Sequence, residues 1–177
     1  MSSGHVVSAE ELPAIEKIVV IGTGFIGLPL ALQLAKEGKT VVGVDIDEKL
    51  VEAINDQSLN LDEDELQALL ESEAVNENLV ARTAPETGDA FVISVPTPLT
   101  TPQKSPDLSA VEAAVESIIP HLEEGNIVNI ESTIPPLTCD EVIAPILSEA
   151  GFEPGEDIYL AHSPERILPG NVFEEIV

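Results

Sequence analysis

The sequence predicts an α/β fold, a doubly wound parallel sheet in a single domain, and three observations predict it. Six short runs of mostly β-branched residues recur along the 177 residues with helical patterns between them, the alternation from which parallel sheets covered on both faces are built. The run at 89–95 (DAFVISV) is almost continuously apolar, as a strand buried on both faces must be. Polar residues capable of chemistry cluster directly after the runs, where open parallel sheets bind their ligands.

The opening elements are the most specific. A strand at 18–21 leads into Gly22, Thr23, Gly24, Phe25, Ile26 and Gly27, a helical pattern follows, and a second strand at 41–44 ends in Asp45. This is the dinucleotide-binding fingerprint in its required context, the first βαβ unit of a Rossmann-type sheet. Gly22 allows the tight turn, Gly24 lets a pyrophosphate approach the backbone, and Gly27 lets the new helix pack closely on the sheet. The N-terminus of that helix offers amide groups and a positive dipole end to an anion. Asp45, 23 positions after Gly22, can accept bonds from ribose hydroxyls and would repel a 2′-phosphate, which points to NAD rather than NADP.

The remaining elements follow in order. Helices are expected at 47–55, with Val51 and Ile54 on one face, and at 62–70, whose acids crowd the first turn. A short strand at 79–83 precedes the strand at 89–95, which runs into Pro96, Thr97 and Pro98. A loop to about residue 107 then gives way to a helix at 108–120 and a strand at 127–130 ending in Glu131, Ser132 and Thr133. A helix at 138–150 contains Pro145, which implies a kink, and Gly151 stops it. The last strand, 158–161, ends at His162, Ser163, Pro164 and Glu165. Residues 1–15 read as a flexible acidic leader and residues 16–177 as the domain.

Charge sets the class of partner. Asp and Glu number 33 against 7 Lys and Arg, a formal net charge of −26, so nucleic acid and anionic membrane are excluded as expected partners. The acids are spread over every segment, a whole-surface pattern that suggests a halophilic protein working in a high-salt cytoplasm. The core must be aliphatic, since 44% of residues are hydrophobic and only 3% aromatic. A single cysteine, Cys139, precludes an internal disulfide and fits a reducing compartment. No apolar run reaches the ~18 residues of a membrane span, and no metal-ligating cluster is expected. The expected location is the cytoplasm.

Taken together, GTGFIGLPLA, SVPTP, ESTIPP and HSPERILPGN resemble, in order and spacing, the UDP-glucose/GDP-mannose dehydrogenase family of nucleotide-sugar 6-dehydrogenases. The SPER run looks most like its UDP-N-acetylmannosamine branch. The resemblance implies oxidation of a sugar C6 alcohol to a carboxylate with two NAD+, in nucleotide-sugar metabolism leading to polysaccharide. By position, it implies that Phe25 and Ile26 lie against the pyrophosphate, that Asp45 holds the adenosine ribose, and that Thr97 and Thr133 line the nicotinamide side. It implies a catalytic role for Glu165 and Thr133, and contacts from Glu165, Arg166 and Ile167 to the UDP-sugar. It also implies that the full-length relative is a homodimer.

The family's covalent chemistry uses a cysteine, helped by a lysine and an asparagine, in a later helix and domain that are not found here, so this chain is expected to be the NAD-binding part alone and inactive by itself. Cys139 falls in the wrong place in the order to serve and reads as a buried small hydrophobe. Leu137 stands where the family usually has glycine, so a different turn is expected. The alternatives are a UDP-GlcNAc or UDP-glucose dehydrogenase of the same build, a stand-alone nucleotide-binding module, and a simple alcohol dehydrogenase using Glu165 and His162.

Overall fold

A computed structural model describes residues 14–61, 63–102 and 105–164. Six strands form one parallel sheet: β1 (Lys17–Ile21), β2 (Thr40–Val44), β3 (Leu79–Arg82), β4 (Ala90–Ile93), β5 (Ile127–Ile130) and β6 (Tyr159–His162). Their order is β3-β2-β1-β4-β5-β6, with Ile18 level with Val41 on one side and Ala90 on the other. The expected doubly wound sheet is therefore the observed one.

Alternate residues of β1 to β5 feed two separate cores. Ile18 and Val20 of β1 join Val41 and Val92 beneath the first group of helices. Those helices are α1 (Gly27–Lys36), α2 (Glu48–Asn55), α3 (Asp64–Leu70) and α4 (Glu73–Asn78). On the opposite face Val19 and Ile21 meet Phe91, Ile93 and Val128 beneath α5 (Ser109–Ile118) and α6 (Ala144–Glu149). Phe91 is fully buried, a contribution of about 1.5–3 kcal/mol for a side chain of its kind.

Helix starts follow local chemistry. Asp47 caps α2 by accepting the Lys49 N–H at 3.0 Å, and Ser72 accepts the Val75 N–H at the start of α4. The helix α4 was not expected from the pattern of the chain, because EAVNEN buries only Val75 and so shows no apolar stripe. Asp89, expected within β4, instead precedes it, and its Oδ2 accepts the N–H groups of Glu16 and Lys17 at 2.9 and 2.8 Å. Those bonds hold its carboxyl below the usual Asp range and pin the start of β1.

The segment around Pro145 is resolved differently from a simple kink. Cys139–Ile143 form a π turn, and Pro145 sits in the first turn of the α6 that follows. The first turn is where a proline's missing N–H and fixed φ cost least, and the wider turn lies directly upstream of the ring.

Leu137 occupies the left-handed region with φ 70° and is 61% exposed. The turn therefore keeps a glycine-like backbone with a leucine in it, which costs a β-carbon-bearing residue on the order of 1–2 kcal/mol. Leu137→Gly is expected to raise stability by about 0.5–1 kcal/mol, part of the relief being offset by the freer unfolded chain. Equilibrium urea denaturation of the two proteins checks this, and an unchanged or lower midpoint would show that Leu137 is not strained.

Candidate functional site

Successive helices leave β1 and β4 toward opposite faces of the sheet, so their loops part and a crevice opens at the carboxyl ends of these neighbours. A cleft of about 660 Å³ lies there. Gly22, Gly24, Phe25, Ile26, Asp45, Thr97 and Thr133 all line it. Gly27 lies one layer behind.

The three glycines differ in what surrounds them. Gly22 has φ +90°, its N–H donates to the Val44 carbonyl at 2.7 Å, and a β-carbon there would run into the Ser94 carbonyl. A β-carbon on Gly27 would run into the carbonyl of Gly22. Around Gly24, by contrast, nothing lies within 4 Å of the place a β-carbon would take. The loop thus keeps an open approach at Gly24 while Gly22 and Gly27 hold strand and helix together.

Behind this loop, α1 begins with no capping side chain and no acid in its first turn. Among the described residues no lysine or arginine lines the cleft. What these residues offer an anion is the positive end of the α1 dipole.

Asp45 is held on both oxygens. Its Oδ2 accepts the backbone N–H of Thr23 at 2.9 Å and the Thr23 hydroxyl at 3.2 Å, and its Oδ1 accepts the Asp47 N–H at 3.0 Å. Thr23 is 1% exposed. Its methyl lies over Gly43, where a β-carbon would approach it to 2.9 Å. Sequence reasoning missed Thr23 and Gly43. The variable middle position of the glycine motif carries no signal until the loop is folded back against β2.

On the other side of the cleft the two strand ends are joined by hydroxyls. Thr97 Oγ1 donates to the Thr133 carbonyl at 2.7 Å. Ser132, buried, accepts the Val95 N–H at 2.9 Å and donates to the Val95 carbonyl at 2.8 Å. The Thr97 hydroxyl is thus engaged with the neighbouring loop, whereas the Thr133 side chain is exposed along the wall. Ser132 too was missed, because a serine between an acid and a threonine looks like an ordinary strand end. Ser132→Ala leaves the Val95 N–H without its partner and is expected to cost about 1–3 kcal/mol, read from the shift in denaturant midpoint. A change below ~0.5 kcal/mol would mean that water substitutes for the hydroxyl.

The far wall comes from α5. Ala110, Ala113, Ala114 and Ser117 line the cleft, at the spacing of one helix face, and their small side chains leave room for a flat group. Phe25 and Ile46, 60% and 96% exposed, also border the cleft and present apolar surface at its mouth.

Several expected residues lie elsewhere. His162 ends β6, is exposed and does not line the cleft. Glu165, Arg166 and Ile167 lie outside the described residues. Cys139 packs at the margin of the second core, half-buried rather than buried, and burial followed by the neighbouring Asp140 pushes its thiol up. A thiol so placed is a poorer nucleophile at neutral pH. Among the described residues no helix is long and apolar enough to cross a membrane, and no group of three or more metal-ligating side chains occurs.

Known proteins match this chain along nearly its whole length. The NAD binding domain of the UDP-glucose/GDP-mannose dehydrogenase family matches residues 16–177. A UDP-N-acetyl-D-mannosamine dehydrogenase of Methanococcus aeolicus is 45% identical over 165 residues, covering 92% of this chain and 37% of that protein. An NDP-N-acetyl-D-galactosaminuronic acid dehydrogenase of Ralstonia nicotianae is 42% identical, with 90% and 39% covered. The native structure of the UDP-N-acetyl-mannosamine dehydrogenase Cap5O from Staphylococcus aureus superimposes with a TM-score of 0.85 at 43% identity, over 90% of this chain and 39% of that one. The chain spans less than two fifths of the length of these relatives.

Proposed function

The chain belongs to the UDP-glucose/GDP-mannose dehydrogenase family as its NAD-binding domain, and from that footing we propose that it serves the oxidation of the C6 alcohol of UDP-N-acetylmannosamine to the uronate, with two NAD+ consumed. The observation that carries this reading is the pairing of the anchored Asp45 carboxylate with the open approach at Gly24, both facing one cleft at the β1/β4 crevice.

The residues present fit the cofactor. Gly24, Phe25 and Ile26 bring backbone to the pyrophosphate at the start of α1, Asp45 takes the adenosine ribose, and the alanines of α5 face the flat base. Thr97 and Thr133 border the nicotinamide end, and the Thr97–Thr133 bond keeps that wall in register. When bound, NAD+ supplies the acceptor for a hydride from the sugar carbon. Positioning is the contribution of this chain, because hydride transfer depends on the alignment of the two reacting carbons. Glu165 acts near the reacting carbon by polarising or activating water, Thr133 orients water, and Arg166 and Ile167 contact the UDP-sugar. The nucleophile belongs to a segment outside these residues, and the whole enzyme works as a homodimer in a high-salt cytoplasm, in nucleotide-sugar metabolism that feeds polysaccharide synthesis.

Titration of the 177-residue chain with NAD+ and NADP+ in molar KCl, followed by addition of UDP-N-acetylmannosamine with NADH absorbance recorded, tests this. Binding of NAD+ in preference to NADP+, a loss of about tenfold in Asp45→Asn, and no sustained NADH production by this chain alone are expected. Absence of NAD+ binding by folded protein would overturn the reading of the cleft. Two NADH per sugar from this chain would overturn the placing of the nucleophile.

A further inference from the structure

We infer that Thr23 is a specificity-determining residue that leaves Asp45 able to grip only one of the two adenosine ribose hydroxyls strongly, an inference that rests on the cofactor reading above. A carboxylate has about four acceptor sites, two on each oxygen. In this structure Oδ2 has both of its sites taken by Thr23, one by the N–H at 2.9 Å and one by the hydroxyl at 3.2 Å. Oδ1 has one site taken by the Asp47 N–H at 3.0 Å. Among the described residues these bonds leave one acceptor site, on Oδ1, for a ligand.

The two backbone N–H groups, one on each oxygen, already set the plane of the carboxylate, so the hydroxyl of Thr23 is not needed to orient it. Its effect is to occupy an acceptor that a ribose hydroxyl would otherwise use. Thr23 is 1% exposed, and its methyl is pressed over Gly43, which holds the hydroxyl on the Asp45 side. A diol that would pair with both oxygens of a free carboxylate therefore meets one open oxygen and one already filled.

The test compares NAD+ with its 2′-deoxy and 3′-deoxy adenosine analogues in calorimetric titrations of the full chain. In the wild type, loss of one hydroxyl is expected to weaken binding on the order of tenfold, as for a hydrogen bond to a charged group, and loss of the other by less than about twofold. In Thr23→Val, which keeps the packing over Gly43 and removes the hydroxyl, the two analogues are expected to lose affinity to similar extents. Thr23→Ser, which restores the hydroxyl, is expected to restore the asymmetry. Equal losses in the wild type, or an asymmetry unchanged in Thr23→Val, would overturn the inference. The wild-type comparison stands even if a variant fails to fold. Failure of the wild type to bind NAD+ at all would instead count against the cofactor reading, so the two failures are distinguishable.

Discussion

Gly27→Ala is expected to destabilise the domain by about 3 kcal/mol, while Gly24→Ala leaves stability within ~0.5 kcal/mol and removes most of the NAD+ affinity. The added methyl on Gly27 would meet the carbonyl of Gly22, a residue tied to the end of β2 by its bond to the Val44 carbonyl. Relief requires α1 to move off the sheet, and α1 buries Leu28, Ala31, Leu32 and Ala35 against it. A shift of that helix disturbs the first core as a whole. At Gly24 nothing lies within 4 Å, so the fold loses nothing by the same methyl. The space it fills is where the proposed cofactor brings its phosphates, and a loss of tenfold or more in affinity is expected. Denaturant unfolding and calorimetric titration of both variants separate the effects. Gly24→Ala protein that binds NAD+ like the wild type would place the phosphates elsewhere, and Gly27→Ala protein of normal stability would mean that α1 can retreat at little cost.

Lowering salt from about 2 M to 0.1 M KCl is expected to cost about 3–5 kcal/mol, a large share of the ~5–15 kcal/mol that holds a domain together. The net charge is −26. Two ion pairs, Lys17 with Glu86 at 2.7 Å and Lys39 with Glu16 at 3.7 Å, both lie near the start of β1 and are partly exposed, so these two offset little of the repulsion. Screening must do the rest, and its reach shrinks from ~10 Å at 0.1 M to ~3 Å at 1 M. Exposed Glu52, Glu77, Glu116 and Glu124 lie on separate parts of the surface. Replacing all four by lysine is expected to flatten the salt dependence measurably. A melting temperature that ignores salt in the parent protein would refute the view that its acidity is an adaptation to a saline interior.

Much of the architecture was legible in the chain because it is encoded over short distances. A strand buried on both faces announces itself by an unbroken apolar run, and β4 does so through Phe91, Val92 and Ile93. The glycine motif and Asp45 belong to one βαβ unit, and their spacing brings Gly22, Gly24 and Asp45 to one cleft. Where the signal was weak, the expectation failed for a physical reason: α4 lacks an apolar stripe, and the effect of Pro145 depended on whether the preceding turn could widen.

The inner workings of the cleft were settled only by the folded arrangement. Ser132 and Val95 are 37 positions apart, Thr97 and Thr133 are 36 apart, and nothing local in either segment says that β4 and β5 will lie side by side with these hydroxyls between them. Thr23 reads as a filler between glycines until the turn at Gly22 brings it against the end of β2. The alanines of α5 read as good helix formers until the crevice makes them a wall. Local periodicity dictates which elements form and which faces they bury, because those depend on neighbours in the chain. Which acceptor sites remain open to a ligand depends on partners that only the parallel pairing of β2, β1, β4 and β5 brings within hydrogen-bond reach.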